Sequence, residues 1–595
     1  MGGMKKRTGN RDSLLKLFVA GMALCGFCLL QLNHAPVAFA QSEATGSEIA
    51  EPETVKPETE EAAASEGQGA GEEAAEEEMA APEPVLTPLE QAIKAELELQ
   101  RSEAKSKALR ARLGDIEAHY IANGYKPIWI EDGKASKKAE DMVEVINLAY
   151  EDGLEPGDYD AGELFQKLGA SSDDELADLE IHLATTSVSY AQHMNAGRLN
   201  PNQVNREVVI YPTAVGADSI LGNIRRTTSL KAYIRLLAPL TQRYERLRNA
   251  LAIYRKIEAK GGWTQVPEGE VLKPGMTDER VPALRARMVQ AGLLSGEPAD
   301  PLVYDDALVE AVTVFQDRSG IEMDGVVGPG TLEQLNVPIE DRIATMEVNM
   351  ERNRWMQNDF GPHHIFANLA DQVVKVVLND KTVHAEIIQV GLPYHRTPVF
   401  TDELEYVEIN PFWNVPYSIA VNEYLPKLRK NPGVLAAQNI SLLSNGNAIS
   451  AGRVNWAAYG KGNFPFRLRQ NPGKGNALGR IKFMFPNKFN VYMHDTPSKS
   501  KFDKAQRYFS HGCLRLRNPL KMAEVLLGNQ GWDRDKIDAT VASGKRTVVK
   551  LDEKIPVHIV YLTNWVNKDG SVHFRKDVYG RDKIIAAALA KVRGR

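Results

Sequence analysis

The sequence predicts a multidomain α+β protein in which two helical regions precede a mostly β domain. Apolar residues recur at helical spacing over residues 87–275 and again over residues 276–340. From about His363 onward, apolar and polar residues alternate with a period of two, as in 373–378, which is typical of strands. At 595 residues the chain is also too long for one hydrophobic core. We therefore expect several folded units.

The N-terminal residues have the pattern of an export signal. Basic residues lie between Lys5 and Arg11, and an apolar run covers residues 17–32. Ala38-Phe39-Ala40 then provides small residues at the positions read by a signal peptidase. Residues 1–40 are therefore predicted to be a signal peptide. The alternative is an uncleaved membrane anchor, for which the apolar run is short.

Residues 41–86 are predicted to form a disordered acidic linker. Residues 41–85 contain fourteen Glu and one Lys, with almost no large apolar side chain. Such a segment cannot bury enough surface to offset its ordering entropy. It also accounts for the net charge of −6, since the remainder of the chain is close to neutral. No long basic stripe is present, so the sequence gives no indication of nucleic-acid binding.

The second helical region contains a turn with a recognisable pattern. Leu308, Val312 and Phe315 lie at helical spacing, and Asp324-Gly325-Val326-Val327-Gly328-Pro329-Gly330-Thr331 follows. This D-G-x-x-G-P-x-T run resembles the peptidoglycan-binding module of wall hydrolases. Because its glycines mainly build a turn, the same run is compatible with a helical spacer that does not bind.

The β domain is interrupted by a long insert. Strands are predicted before Asn410, and residues 410–416 form a turn that contains Trp413. Residues 417–470 then read as a helix with loops, after which strands resume at residues 481–485 and 490–494. The insert therefore separates two groups of strands in one domain.

Cysteine content points to a reactive thiol. Cys25 and Cys28 lie in the predicted signal peptide, so the mature chain would keep only Cys513. A lone thiol cannot form an internal disulfide in an oxidising compartment, and its retention there needs a reason. Nucleophilic chemistry is one reason, and a buried inert cysteine is the alternative.

The residues around Cys513 fit nucleophilic catalysis. His494 ends a predicted strand and can reach Cys513 as a general base. Gly512 permits close backbone approach, so the backbone amides at Gly512 and Cys513 can stabilise an oxyanion. Tyr492, on the same strand face as His494, can help by donating its phenol proton. Arg515 can bind a carboxylate. A zinc site is an alternative, but structural zinc usually takes two or more cysteines, and a third ligand for catalytic zinc is not evident.

The pattern of His494, fifteen intervening residues and Ser510-His511-Gly512-Cys513-Leu514-Arg515 resembles the signature of L,D-transpeptidases with a YkuD-type catalytic domain. The flanking runs 410–416, 471–483 and 491–497 are also similar to that family. The layout resembles its large Gram-negative members, which implies a periplasmic location. The domains that this reading predicts are a signal peptide (1–40), an acidic linker (41–86), a helical scaffold (87–275), a peptidoglycan-binding module (276–340) and a catalytic domain (341–595) with a capping insert (about 417–470).

The resemblance implies a specific reaction. Cys513 would form a thioester with the L-centre carbonyl of diaminopimelate in a tetrapeptide stem, and D-Ala would leave as His494 protonates its amine. The acceptor would be an amine of another stem, giving a 3→3 cross-link, or a lysine of an outer-membrane protein. We expect Ser510, His511 and Trp413 to contact substrate beside Arg515, although other large members lack His511. No cofactor or metal is expected, and carbapenems would acylate Cys513.

Two other functions remain open from the sequence. A hydrolase on the same site would use water as acceptor and act as an L,D-carboxypeptidase. A scaffold that binds peptidoglycan without catalysis is the second alternative, against which the intact His494 and Cys513 argue.

Overall fold

A computed structural model describes residues 85–356 and 359–592. The predicted signal peptide and nearly all of the predicted acidic linker lie outside these ranges. Within them, no helix is long and apolar enough to cross a membrane.

The N-terminal region is a helical unit with its own apolar core. Side-chain caps define several helix starts, such as the reciprocal hydrogen bonds of Thr87 with Glu90 and of Ser172 with Glu175. Three two-residue strands accompany the helices: β1 (Ile130–Glu131), β2 (Lys134–Ala135) and β3 (Val208–Val209). The helices are α1 (Pro88–Glu103), α2 (Lys107–Ala122), α3 (Lys137–Asn147), α4 (Ala161–Lys167), α5 (Asp173–Ala196), α6 (Pro201–Val204), α7 (Ala217–Arg226), α8 (Leu230–Leu237) and α9 (Gln242–Glu258).

A three-helix module follows. It consists of α10 (Val281–Gln290), α11 (Asp306–Ser319) and α12 (Pro329–Leu335) around a separate small core. The buried Gln316 side chain holds the glycine turn by bonding to Asp324, Thr331 and the backbone of Gly325. The turn residues therefore have a structural role in the module.

Helix α13 (Ile339–Trp355) joins the module to the β domain. The sequence of residues 350–355 alone indicates a connector to the strands, but the C-terminal half of the helix is buried. Glu351 accepts hydrogen bonds from the backbone N–H groups of Arg198 and Leu199 and from the Trp355 indole. Other residues of α13 belong to the core of the helical unit. The helix therefore ties the helical unit to the β domain.

The β domain contains a sheet that closes on itself. Its strands follow the order β12-β13-β15-β6-β5-β4-β16-β7, and β12 also pairs with β7. Strand β3 of the helical unit adds to β7 in parallel, and β14 pairs with β6. The strands of this sheet within the domain are β4 (His363–Asn368), β5 (Val373–Leu378), β6 (Lys381–Gly391), β7 (Val399–Ile409), β12 (Ile481–Met484), β13 (Met493–His494), β14 (Tyr508–Ser510), β15 (Leu514–Leu516) and β16 (Thr547–Val560).

The insert folds around its own apolar cluster, to which Leu428, Trp456 and Leu468 contribute. Its small sheet also includes β8, which pairs with β11. One segment, Ala420–Tyr424, is a π-helix. The elements are β8 (Trp413–Asn414), α14 (Tyr417–Ile419), α15 (Leu425–Lys430), α16 (Val434–Ala437), β9 (Ile440–Ser444), β10 (Asn447–Ile449) and β11 (Arg467–Gln470).

The C-terminal elements complete the domain. They are α17 (Pro519–Leu527), α18 (Arg534–Ala542), β17 (Asn564–Val566), β18 (Val572–Phe574) and α19 (Arg581–Val592). Val566 and Phe574 reach into the core of the helical unit. The predicted fold class, a multidomain α+β protein with a β-rich domain and two helical regions, is confirmed.

Candidate active site

The predicted site residues converge on one face of two neighbouring strands. Strands β13 and β15 are parallel, with Met493 opposite Leu514 and His494 opposite Arg515. Met493 and Leu514 are fully buried in the core. Because side chains alternate along a strand, Tyr492 and His494 share the opposite face with Cys513 and Arg515.

The Cys513 thiol is partly exposed and lies against the loop that leads into β13. Its sulfur lies 3.8 Å from the carbonyl oxygen of Asn490, which accepts from the thiol. Burial raises the thiol pKa, while hydrogen bonds from the Tyr492 backbone and phenol and the positive charges of Lys482 and Arg515 act to lower it. Because burial dominates, the resting group is a neutral thiol.

His494 is 4% exposed and is fixed in one orientation. Its Nδ1 donates to the backbone carbonyl of Asp495 at 2.5 Å, and the Leu478 carbonyl also interacts with the ring. In a neutral imidazole with the proton on Nδ1, the lone pair lies on Nε2. Burial, followed by the charge of Arg515, lowers the His494 pKa to about 3. The imidazole is therefore neutral at ordinary pH and has the tautomer that a general base requires.

The turn after His494 is held from the start of β12. The Asp495 carboxylate accepts from the backbone N–H groups of Arg480 and Thr496, at 2.8 Å and 2.7 Å. Gly479 has a φ of +62°, and a Cβ there would lie 2.2 Å from an Asp495 carboxylate oxygen. Only glycine fits both the conformation and the space. Gly479 thus leaves room for the Asp495 carboxylate, which fixes the backbone turn after His494.

Ser510 bonds to the backbone of the loop that carries Cys513. It is 1% exposed, and its hydroxyl accepts from the Gly512 N–H at 3.0 Å and donates to the Cys513 carbonyl at 2.6 Å. The side chain is therefore enclosed and shapes the loop, and the substrate contact expected for Ser510 stays a prediction. The Gly512 N–H, expected to assist an oxyanion, is occupied by Ser510 in this arrangement.

The backbone of Gly512 still requires glycine. Its φ is +115°, in the region that side chains disfavour. Its carbonyl accepts from the Thr397 hydroxyl at 2.8 Å, and the Thr397 hydroxyl in turn accepts from the Gly391 N–H at 3.0 Å. Thr397 was not predicted from the sequence, because only the fold brings the end of β6 next to this loop.

Arg515 and Trp413 line a common cavity of 540 Å³, and Cys513 is not among its lining residues. Tyr424 and Gln438 of the insert and Thr496 also line it. Arg515 lies 3.5 Å from the Gln389 side-chain oxygen and 3.4 Å from the Phe509 carbonyl, and neither partner is a carboxylate. The guanidinium can therefore receive a carboxylate of a ligand in this cavity.

His511 connects the catalytic loop to the insert. Its Nε2 lies 3.0 Å from a carboxylate oxygen of Glu423, which belongs to the π-helix. Its ring also packs on His395, with centroids 4.7 Å apart. Burial lowers the His511 pKa, and Glu423 acts to raise it. The predicted residue thus contacts protein groups of the insert and of the loop after β6.

Lys482 is a site residue that the sequence reasoning missed. It lies opposite His494 on β12, and its ammonium group is 4.1 Å from the centroid of the Tyr492 ring. The strand pattern could have indicated its face, since Ile481 and Phe483 alternate with it and are buried. Only the register shows which residues it faces. Across residues 85–356 and 359–592 no group of acidic, histidine and cysteine side chains could hold a metal ion.

Three sequence families match separate parts of the chain. Residues 362–551 match the L,D-transpeptidase catalytic domain, YkuD. Residues 277–335 match a "Putative peptidoglycan binding domain", and residues 114–251 match a scaffold domain.

Individual curated proteins are also similar to parts of the chain. A Haemophilus influenzae protein named "Putative L,D-transpeptidase" is 32% identical over 225 residues, which is 38% of this chain and 45% of that protein. The chain thus spans less than half the length of this curated relative. The N-acetylmuramoyl-L-alanine amidase CwlL of Bacillus licheniformis is 34% identical over 67 residues, 11% of this chain and 19% of the amidase.

Two solved structures were also matched. The L,D-transpeptidase of Xylanimonas cellulosilytica is 16% identical with a TM-score of 0.17, covering 49% of this chain and 99% of that one. A Zn-dependent amidase/peptidase with a peptidoglycan-binding domain, from Clostridium acetobutylicum, is 13% identical with a TM-score of 0.14, covering 49% and 100%. The family matches therefore carry the assignment: the chain contains a YkuD L,D-transpeptidase catalytic domain together with a peptidoglycan-binding domain and a scaffold domain.

Proposed function

We propose that this protein is a cysteine-dependent acyltransferase that cross-links peptidoglycan stem peptides. The observation that carries the proposal is the parallel register of β13 and β15, which gives Tyr492, His494, Cys513 and Arg515 one common face. The catalytic-domain match supports an enzyme that acts on peptidoglycan. The thioester and the identity of both substrates are our inference.

The donor is a tetrapeptide stem that ends in D-Ala. Its carboxylate, or that of the neighbouring diaminopimelate, binds Arg515 in the cavity that Trp413 also lines. The reacting carbonyl then lies over Cys513. This orientation converts attack by the thiol into an intramolecular step, which is a large source of rate enhancement.

Acylation begins from a neutral pair. His494 Nε2 takes the thiol proton as the sulfur bonds to the carbonyl carbon, so thiolate and imidazolium form only during the reaction. The Tyr492 phenol donates to the developing charge. The C–N bond to D-Ala then breaks, and its nitrogen takes the proton from His494. The products are a thioester on Cys513 and free D-Ala.

Deacylation reverses these roles. An acceptor amine loses a proton to His494 as its nitrogen attacks the thioester carbonyl, and the C–S bond breaks. The sulfur regains the proton as the amide forms. An amine of a second stem gives a 3→3 cross-link, and a lysine of an outer-membrane protein gives an attached protein. Both acceptors require export to the periplasm, which we propose for residues 1–40.

Incubation with purified tetrapeptide-bearing disaccharide tests the proposal. We expect release of D-Ala together with a cross-linked dimer that mass spectrometry identifies. Tripeptide without dimer would instead identify a carboxypeptidase. If a folded protein formed neither D-Ala nor a cross-linked dimer, the proposed function would be contradicted. Cys513→Ala provides the inactive control.

A further inference from the structure

The active-site face of the sheet carries a buried row of charged and polar residues. Glu408 on β7 lies opposite Lys482 on β12, which lies opposite His494 on β13. His494 lies opposite Arg515 on β15, and Arg515 lies opposite Gln389 on β6. Lys482 is the lysine or arginine of this row to which the reaction described above gives no role.

The position of Lys482 is costly for a cation. The side chain is half-buried, and burial lowers its pKa. The carboxylate across the strands, Glu408, acts electrostatically to raise the Lys482 pKa, but its ion pair is with Arg546. Lys482 itself appears in no ion pair among residues 85–356 and 359–592. A cation kept at this depth without a paired carboxylate suggests a functional requirement.

Two groups of the site do interact with it. The ammonium lies over the Tyr492 ring at 4.1 Å from the centroid, which is cation–π geometry. It also interacts electrostatically with Cys513. Tyr492 in turn bonds to the thiol through its phenol. Lys482 therefore acts on the sulfur in two ways. Its charge acts directly, and its ammonium group also holds the Tyr492 ring, whose phenol bonds to the thiol.

We propose that Lys482 is a positioning residue that holds the Tyr492 ring and stabilises the Cys513 thiolate when it forms. This inference rests on the proposed cysteine chemistry. It adds that Lys482 supplies positive charge that offsets the effect of burial on the Cys513 thiolate. The reaction needs that charge because the His494 imidazole is neutral and a resting ion pair is not available to stabilise the sulfur. Arg515 supplies a second cation but is also required for the substrate.

The pH dependence of Cys513 alkylation tests the proposal without requiring turnover. The full chain is treated with iodoacetamide from about pH 6 to about pH 10, and peptide mass spectrometry follows modification at Cys513. In Lys482→Met we expect a higher apparent thiol pKa and a rate at about pH 7.5 that is lower by about three- to tenfold. Lys482→Arg, which keeps the charge, should stay close to the original profile.

Lys550→Met is the matched control, because Lys550 is an exposed lysine of the same closed sheet, on β16. Its profile should equal that of the unmodified protein. A Lys482→Met profile that overlays the original one would overturn the proposal. An equal shift in Lys550→Met would also overturn it, because the effect would then be a general loss of charge.

A second variant covers the case in which Lys482→Met does not fold. Lys482→Gln removes the charge but keeps a polar side chain, so the thiol pKa should rise and alkylation near neutral pH should slow. An unchanged or faster rate would overturn the proposal. Release of D-Ala by the unmodified protein is measured in parallel. Its absence would count against the proposed function, whereas its presence with overlaid profiles would count against Lys482 alone.

Discussion

The catalytic face of the sheet carries Cys513, the capping insert contacts the neighbouring His511, and the two regions are built differently. On the sheet, Lys482, His494 and Arg515 are fixed by strand register, and His494 has a defined hydrogen-bond partner. The insert has its own apolar core, and its π-helix meets the catalytic loop through the half-exposed pair of Glu423 and His511. We infer that the sheet sets the chemistry and that the insert sets access of the substrate.

Loss of the general base should have the largest effect on the sheet side. His494→Gln should lower transpeptidation by about a hundredfold or more, since general acid–base catalysis contributes that range. Alkylation of Cys513 at high pH, where the thiol is already ionised, should change little. His384→Gln, a change on β6, is the control. Near-normal D-Ala release from His494→Gln would show that the imidazole is not the general base.

Gly479→Ala tests whether catalysis needs the Asp495 carboxylate to hold the turn after His494. The added Cβ would meet the Asp495 carboxylate at 2.2 Å, and the φ of +62° would be strained. We expect a loss of about 1–3 kcal/mol in the free energy of unfolding and a fall in kcat. Chemical denaturation and D-Ala release measure the two effects.

Gly475→Ala is the control for that variant, since a Cβ at Gly475 meets nothing within 4 Å. Full activity and stability in Gly479→Ala would show that the Asp495 carboxylate does not hold the His494 turn.

Trp413→Ala should act mainly through substrate binding. The indole lines the cavity that contains Arg515, so its loss should raise KM for the donor by about tenfold and leave kcat within about twofold. Trp413→Phe should recover part of the affinity. A fall in kcat with unchanged KM would contradict the assignment of Trp413 to substrate binding.

Glu423→Gln should have the smallest effect, and the effect should depend on pH. Burial lowers the His511 pKa, so at neutral pH the ring is mainly neutral and its contact with Glu423 is weak. As pH falls, His511 becomes charged and the ion pair strengthens. The variant should therefore differ from the original protein by about twofold or less near pH 7.5, and by more near pH 5.5. Steady-state rates across this range test it, and a difference that grows with rising pH would contradict it.

Much of the site was predictable because its residues are close in sequence or share a strand. The spacing around Cys513 identified the thiol, and strand alternation placed Tyr492 with His494 and Arg515 with Cys513. Lys482 and Thr397 were missed because their roles depend on contacts between strands, which a single sequence does not specify. The loop contacts of Ser510 could not be predicted, because a serine beside a nucleophile can face substrate or the loop, and the sequence does not show its burial.

The folded regions were predicted for similar reasons. Period-two and helical patterns identified the β domain and the helical regions. The sequence of residues 350–355 indicates a connector, because charged side chains there give no sign that the C-terminal half of α13 is buried. The pairing of Glu351 with backbone groups more than a hundred residues away could only be seen in the structure.

The most direct test of the central claim is the mass of the intact protein after incubation with a carbapenem. Because the strained lactam carbonyl can accept the Cys513 sulfur as a stem carbonyl would, we predict one covalent adduct per chain that maps to Cys513 and is absent from Cys513→Ala. No adduct on the folded protein, or an adduct that persists in Cys513→Ala, would contradict the account of Cys513 as the acyl-accepting nucleophile.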